Sequence, residues 1–275
     1  MTIFNSVTAE NLSLGAENLT LGYGSKIICE ALDVIIPNRK LTVIVGPNGC
    51  GKSTLLKSLC RLLKPKQGHV VLNGEQIQRM PGKDIAKRLG FLPQSSPKPE
   101  RVTVAELVAR GRHAHQGLFS QWSIKDEQAV KQAMRITRVE EFAELAVDAL
   151  SGGQRQRVWI AMLLAQQAPI LMLDEPTTYL DISHQLELLE LFKKLNQQRG
   201  NTVVAVLHDL NQACRYADNL IVLSGGKVVA QGSPEELMTE SLIKQVFGLD
   251  SLIIQDPVTN TPMIVPKAPM IPDVV

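Results

Sequence analysis

Several features are scarce in this 275-residue sequence, and each scarcity removes a class of protein. Purely apolar runs, such as residues 34–37 and 170–173, are short. A membrane-crossing helix needs ~20 apolar residues in a row. The chain is therefore expected to be soluble, with any membrane role arising through a partner. The first ten residues contain no basic stretch leading into an apolar one, so no secretory leader is expected. Neither sign of charge is in excess. The 29 Lys and Arg against 27 Asp and Glu leave a net +2, so no global field argues for nucleic acid or an anionic surface as a partner. Cysteine is sparse and scattered, at Cys29, Cys50, Cys60 and Cys214, with no CxxC and no Cys/His ligand spacing. That excludes a disulfide framework or a zinc site and points to free thiols in a reducing compartment. His113 and His115 lie two apart in a polar segment, too few for a metal site.

The 44% hydrophobic content is enough for one large α/β domain with room for a subdomain. Short β-branched runs alternate with longer stretches of helical period, the pattern of a doubly wound or mixed α/β fold. Residues 41–45 (LTVIV) read as a strand entering a glycine-rich turn, and 53–63 as the helix that follows. Residues 170–173 and 202–207 are continuous apolar runs ending in ionisable residues. Such runs suit central parallel strands with chemistry at their C-terminal ends. Between them, 184–196 places Leu188, Leu189, Phe192 and Leu195 on one helical face. Residues 69–73 and 227–231 look antiparallel and more exposed. Residues 102–149 carry almost no strand signal and read as a helical insertion, with helices expected over 105–112 and 126–144.

Two terminal features stand apart. Residues 9–15 (AENLSLG) are followed directly by 16–22 (AENLTLG), a tandem pair too short for a solenoid unit. It reads as a local duplication in which only the second copy serves as the first strand. From Asp256 onward come five prolines, Pro257, Pro262, Pro266, Pro269 and Pro272, which forbid a regular helix or a central strand. Residues 251–275 are read as a partly ordered, proline-rich tail.

The chemistry begins at Gly46, Pro47, Asn48, Gly49, Cys50, Gly51, Lys52 and Ser53, which fit GxxxxGK[ST] without a mismatch, after an apolar strand and at the opening of a helix. Glycines let successive N–H groups converge on a β-phosphate, and the helix start adds a favourable dipole. Lys52 is placed to reach the β- and γ-phosphates, Ser53 to ligate Mg²⁺ and Thr54 to hold the α-phosphate. Asp174 and Glu175 end the apolar run 170–173. Asp174 would hold the Mg²⁺ ion through water, and Glu175, on the other side of the pleat, would orient or deprotonate an attacking water. Leu150, Ser151, Gly152, Gly153 and Gln154 then precede a helical stretch at 155–165. Ser151 and the glycine amides make a second anion site at a helix start. One chain with two such sites makes sense if the second serves a nucleotide held by another subunit.

The order of these segments, with Leu-Ser-Gly-Gly-Gln between the phosphate loop and the Asp-Glu pair, resembles the ATP-binding-cassette (ABC) ATPases over roughly residues 8–250. The resemblance implies a P-loop ABC-ATPase fold, α/β, with a mixed sheet core, an antiparallel β subdomain and a helical subdomain inserted at about 95–165. It implies that His208, after the apolar strand 202–207, is the switch histidine that hydrogen-bonds the γ-phosphate. Gln94, in FLPQ, matches the Q-loop glutamine that contacts Mg²⁺ or water and links core to insertion. Tyr23, in LGYG, is similar to the aromatic that stacks on adenine, and Asp181, in TYLD, matches the loop that meets the second subunit's site.

The wording of residues 46–52, of 174–181 with His184 and Gln185, and of 208–213 with 215–218 is similar to the ATPases of iron–siderophore importers. Relatives that serve haem, cobalamin or another metal chelate are the alternative, and a non-transport ABC protein a more distant one. The resemblance implies an ATPase using ATP and Mg²⁺, in a head-to-tail dimer of two copies. It implies integral membrane permease subunits as partners, received at a groove about residues 94–112, and a periplasmic or lipoprotein substrate-binding protein served indirectly. No nucleic acid is expected, and the location implied is peripheral, at the cytoplasmic face of the inner membrane.

Overall fold

The computed structural model describes residues 12–95, 97–117, 122–178 and 180–268. The chain divides into two units, one running to residue 78 and resuming at 204, the other spanning 79–203.

The first unit opens with β1 (Leu12–Tyr23) and β2 (Lys26–Pro37), paired antiparallel with Leu14 opposite Ile36 and Ala16 opposite Val34. Strand β3 (Leu41–Val45) is buried along its whole length and leads through the glycine loop into α1 (Lys52–Leu59). The helix stops earlier than the expected Leu63, because Arg61 takes a left-handed backbone (φ 60°) inside a turn closed by the Leu62 amide on the Lys57 carbonyl. Strands β4 (Gln67–Leu72) and β5 (Glu75–Gln76) complete an antiparallel sheet in the order β2-β1-β4-β5.

The duplication in β1 has a physical consequence. A strand alternates faces every two residues, so a seven-residue repeat would send Leu14 and Leu21 to opposite faces. Both are fully buried, as are Ala16 and Leu19. The phase is corrected by a register shift after Ala16, where Asn18 adopts φ 47°. Gly68 of β4 admits this bulge, since a Cβ there would lie 2.2 Å from the Asn18 carbonyl. The strand therefore runs from Leu12 in the first copy through the whole second copy, which corrects the expectation that only the second contributes. Residues 9–11 lie outside the described residues.

The second unit begins with α2 (Gly82–Arg88) and β6 (Leu89–Leu92), followed by α3 (Val104–Ala109), α4 (Ile124–Ile136) and α5 (Gly152–Ala165). Thr103, Ser123 and Ser151 each close a capping box at the start of these last three helices. The expected helix over 126–144 ends at Ile136. There the Thr137 hydroxyl donates back to the Ala133 carbonyl and Arg138 turns left-handed (φ 56°). The helices are tied together by Arg112, buried after α3, which donates to Asp126 on α4 (2.9 Å), to the Ala165 carbonyl ending α5 (2.8 Å) and to Gln167 (3.0 Å). Strand β7 (Ile170–Asp174), wholly buried, runs parallel to β6 with Leu92 opposite Leu173, and α6 (Ile182–Arg199) buries Leu188, Leu189, Phe192 and Leu195 as read from the sequence.

Strand β8 (Thr202–Val206) carries the chain back to the first unit, followed by α7 (Leu210–Tyr216), β9 (Asn219–Ser224) and β10 (Lys227–Gly232). There β9 is parallel to β3 and antiparallel to β10, so the sheet is mixed. Short helices α8 (Pro234–Leu237) and α9 (Glu240–Phe247) precede a separate two-stranded hairpin of β11 (Ser251–Gln255) and β12 (Pro262–Pro266). Prolines bound β12 and keep it out of any central position, as the composition required. Among the described residues no helix is long and apolar enough to cross a membrane.

Candidate active site

In the first unit the phosphate loop leaves β3 through Gly46, Gly49 and Gly51, all at positive φ (152°, 77° and 109°). Gly46 is required by packing as well as by backbone, because a Cβ there would lie 2.1 Å from the Leu223 carbonyl and 2.8 Å from Cys50 Sγ. Among the described residues seven helices, α3 to α9, have a side chain bonded to a first-turn amide, whereas α1 starts at Gly51 with no side-chain cap. The amides and positive dipole end of α1 are thus left for an anion. Lys52 is buried, and its Nζ donates to the Gly46 and Pro47 carbonyls at 2.8 and 3.0 Å, curling the ammonium over the loop. Thr54 is buried, Ser53 half-buried, and Asn48 and Gly49 exposed.

Cys50 is buried within this loop, and burial pushes its thiol above the usual range against the opposing pull of Lys52. Tyr23 ends β1 in the same unit, its side chain half exposed as a stacking face requires. His208 stands exposed just past β8.

The second unit carries the carboxylates. Asp174 is buried at the end of β7, and Glu175, buried beside it, adopts φ 51°, a conformation that costs a non-glycine residue free energy. Beyond that turn the Glu175 carboxylate is held by hydrogen bonds. Gln94, just past β6, meets it, with Nε2 donating to Glu175 Oε2 at 2.5 Å, and the Thr178 hydroxyl donates to the same oxygen at 3.4 Å. Sequence reasoning missed one participant: buried Gln156 of α5 donates from Nε2 to the Pro176 carbonyl at 3.2 Å, tying the Leu-Ser-Gly-Gly-Gln helix to the turn carrying Glu175. A polar residue on the buried side of α5 was the only signal.

Ser151 and Gly152 are exposed at the start of α5. Ser151 Oγ accepts from the Gln154 amide at 3.3 Å, and Gln154 Oε1 accepts from the Ser151 amide at 3.0 Å. The cap uses the hydroxyl as an acceptor and leaves its O–H free to donate outward. Among the described residues beyond the helix's own backbone and chain neighbours, a Cβ on Gly152 would meet nothing within 4 Å, and one on Gly153 only Leu180 at 3.6 Å. Asp181 caps α6. It accepts from the His184 amide (2.9 Å), the His184 imidazole and the Ser183 hydroxyl, which hold its carboxyl at about 2. Among the described residues no cluster of three His, Cys, Asp or Glu could hold a metal, which includes the neighbourhood of His113 and His115.

A loop that leaves helix amides open to an anion, with its lysine curled over it, is a nucleotide-phosphate cradle, and the family model described as ABC transporter matches residues 29–178. The chain belongs to the ABC transporter family. This ABC ATPase is 56% identical to the ferric enterobactin transport ATP-binding protein FepC of Escherichia coli (strain K12), over 92% of its own length and 93% of that protein. It is 51% identical to the achromobactin transport ATP-binding protein CbrD of Dickeya dadantii, over 92% and 94% of the two chains. Among solved structures it is similar to an ABC transporter classed as metal-chelate type, in an inward-facing conformation. The TM-score is 0.79 at 29% identity, covering 94% of this chain and 98% of that one. A bacterial ABC transporter cassette solved as a dimer superposes with TM-score 0.72 at 30% identity, covering 80% and 98%. As an ABC transporter ATPase the chain binds and hydrolyses ATP.

Proposed function

We propose that this ABC ATPase energises an importer of iron–siderophore complexes, working as a head-to-tail dimer on integral membrane permease subunits at the cytoplasmic face of the inner membrane. A periplasmic or lipoprotein binding protein delivers the cargo to the permease and meets the ATPase only through it. The observation that carries this reading is the identity to FepC, a ferric enterobactin protein, sustained at 56% across 92% of the chain. The ATPase domain is assigned to residues 8–250, its helical insertion to about 95–165, and the hairpin segment to the tail 251–275.

Each residue has a role that its chemistry supports. Tyr23 stacks on the base, the loop amides from Gly46 to Thr54 and Lys52 hold the phosphates, and His208 donates to the γ-phosphate. Glu175 accepts a proton from the water that attacks the γ-phosphorus, as the bond to the β-phosphate oxygen breaks and ADP departs. Ser53, Asp174 and the carbonyl oxygen of Gln94, whose amide nitrogen is engaged by Glu175, are hard oxygen donors of the kind Mg²⁺ prefers. When bound, the ion neutralises charge on the phosphate oxygens. Ser151 to Gln154 serve the nucleotide of the other copy. The exposed hydroxyl and the open face of Gly152 support this, since no described residue packs where a side chain there would lie. Asp181, which caps α6, stands in the loop that meets the second copy's site.

Affinity capture of the tagged protein from a detergent-solubilised membrane extract tests the reading. Recovery of a polytopic permease, with loss of ferric siderophore uptake in cells carrying only Glu175→Gln, is the expected result. Recovery of ribosomes or DNA instead would overturn it.

A further inference from the structure

We propose that Asn211 is a positioning residue for His208 and that the C-terminal hairpin is the strut it leans on. The proposal rests on the reading of His208 as the group that contacts the γ-phosphate.

Strand β12 is built to be gripped at one point. The Asp256 amide bonds the Thr261 carbonyl and the Lys267 amide bonds the Asp250 carbonyl, so residues 261, 263, 265 and 267 present their backbone groups to β11. Alternation then turns Pro262, Ile264 and Pro266 outward. Two of these three are prolines and have no N–H to offer. The outer edge of β12 therefore presents a single donor, the Ile264 amide, and Asn211 Oδ1 accepts it at 2.7 Å. Asn211 Nδ2 in turn donates to the Ile264 carbonyl at 3.2 Å. One side-chain amide thus completes both backbone bonds of a strand edge, as a neighbouring strand would. One helical turn later on the same face of α7, Arg215 approaches Asp256 at 4.0 Å, where Asp256 closes the hairpin turn by accepting from the Val258 and Thr259 amides. The hairpin grips α7 at both ends, and Ile264 itself is buried.

The first turn of α7 sets the place of His208. Asp209 caps the helix by accepting from the Asn211 and Gln212 amides at 2.8 and 3.0 Å, and on the other side the Leu207 amide bonds the Ile44 carbonyl of β3. His208 hangs between these two anchors, one on the strand feeding the phosphate loop and one on the helix turn that Asn211 holds. The prolines of the tail, opaque as composition, make that grip specific to one residue. A misplacement of about 1 Å at a catalytic group is enough to slow a reaction by one to two orders of magnitude.

The test compares full-length wild type, Asn211→Ala, Asn211→Gln and His208→Ala by steady-state ATPase assay, thermal melting and amide hydrogen exchange. Asn211→Ala should lower kcat roughly tenfold with the KM for ATP unchanged. Faster exchange should be confined to residues 208–216 and Ile264. Asn211→Gln, which keeps the amide but lengthens its reach, should fall between the two and carries the test should Asn211→Ala not fold. A lower melting temperature with kcat at the wild-type level makes the bond purely structural and overturns the proposal, as does a change in KM with kcat constant. His208→Ala separates the two readings. If it hydrolyses ATP at the wild-type rate, the role of His208 fails. If it is inactive while both Asn211 variants keep wild-type kcat, only the strut fails.

Discussion

Gln94 Nε2 donates to Glu175 Oε2 at 2.5 Å, joining two side chains 81 residues apart in sequence. The bond orients a carboxylate already set by an unfavourable backbone, as the base role proposed for Glu175 requires. Glu175→Gln should lower ATPase activity by about 10²-fold or more while an ATP-bound dimer accumulates on size-exclusion chromatography. Gln94→Ala should cost about tenfold in kcat with ATP affinity within about twofold of wild type, because the phosphate-holding residues are elsewhere. A Glu175→Gln protein that stays monomeric at saturating ATP would sink the shared-nucleotide reading.

Gly152 gives a second, sharper check on the same reading. With no described residue beyond its own helix backbone and chain neighbours within 4 Å of a Cβ at this position, Gly152→Ala should fold normally, melting within about 2 °C of wild type. Its ATPase activity should nonetheless drop at least about tenfold, because the methyl group would intrude where the second nucleotide is proposed to dock. Wild-type activity in that variant would remove the reason for a glycine here.

Cys50 reports on the phosphate loop through its thiol. Burial raises its pKa above the ordinary 9.0, so the thiol is neutral at pH 7 and alkylation by N-ethylmaleimide is slow. The sign follows directly: the rate should climb about tenfold per pH unit from pH 7 toward that pKa, and ATP should protect. Modified protein should not hydrolyse ATP, because Sγ packs against Gly46. Mass-confirmed alkylation of Cys50 with full activity retained would show that the loop is placed wrongly.

Arg112 and Asp126 form a buried pair, and Arg112→Ala strands both a carboxylate and the Ala165 carbonyl. Urea unfolding should show a loss of about 3–5 kcal/mol. The Ser123 hydroxyl and the Arg112 guanidinium hold the Asp126 carboxyl at about 2, below the ordinary 3.8. A carboxylate depressed in the folded state stabilises above its unfolded pKa and loses that contribution as pH falls through the folded one. The stability difference between wild type and Asp126→Asn should therefore be full above pH 3.8 and shrink toward pH 2. A difference that does not vary over that window would contradict the pairing.

How legible was this in the sequence? The candidate chemistry-bearing residues were legible because each sits at a local junction with its own rule. Lys52 opens a helix after a glycine loop, Asp174 and Glu175 end a buried run, and Ser151 starts a helix. Helix ends were read less well: Thr137 and Arg138 stop α4 eight residues before the expected Glu144, by a back-bond and a left-handed turn that periodicity does not register. Asp181 and Ser151 are helix caps as well as motif residues.

By itself the sequence determined the spacing of the phosphate loop, the buried strands that deliver its acids, and the family, because these rest on contacts between residues close along the chain. The tertiary structure alone decided which distant groups meet. The grip of Gln94 on Glu175, the tie from Gln156 to Pro176, the bulge at Asn18 that rephases a seven-residue repeat, and the capture of the one free donor of β12 by Asn211 all join segments far apart. Such hydrogen bonds gain strength only once burial removes competing water, so no local pattern in the chain announces them.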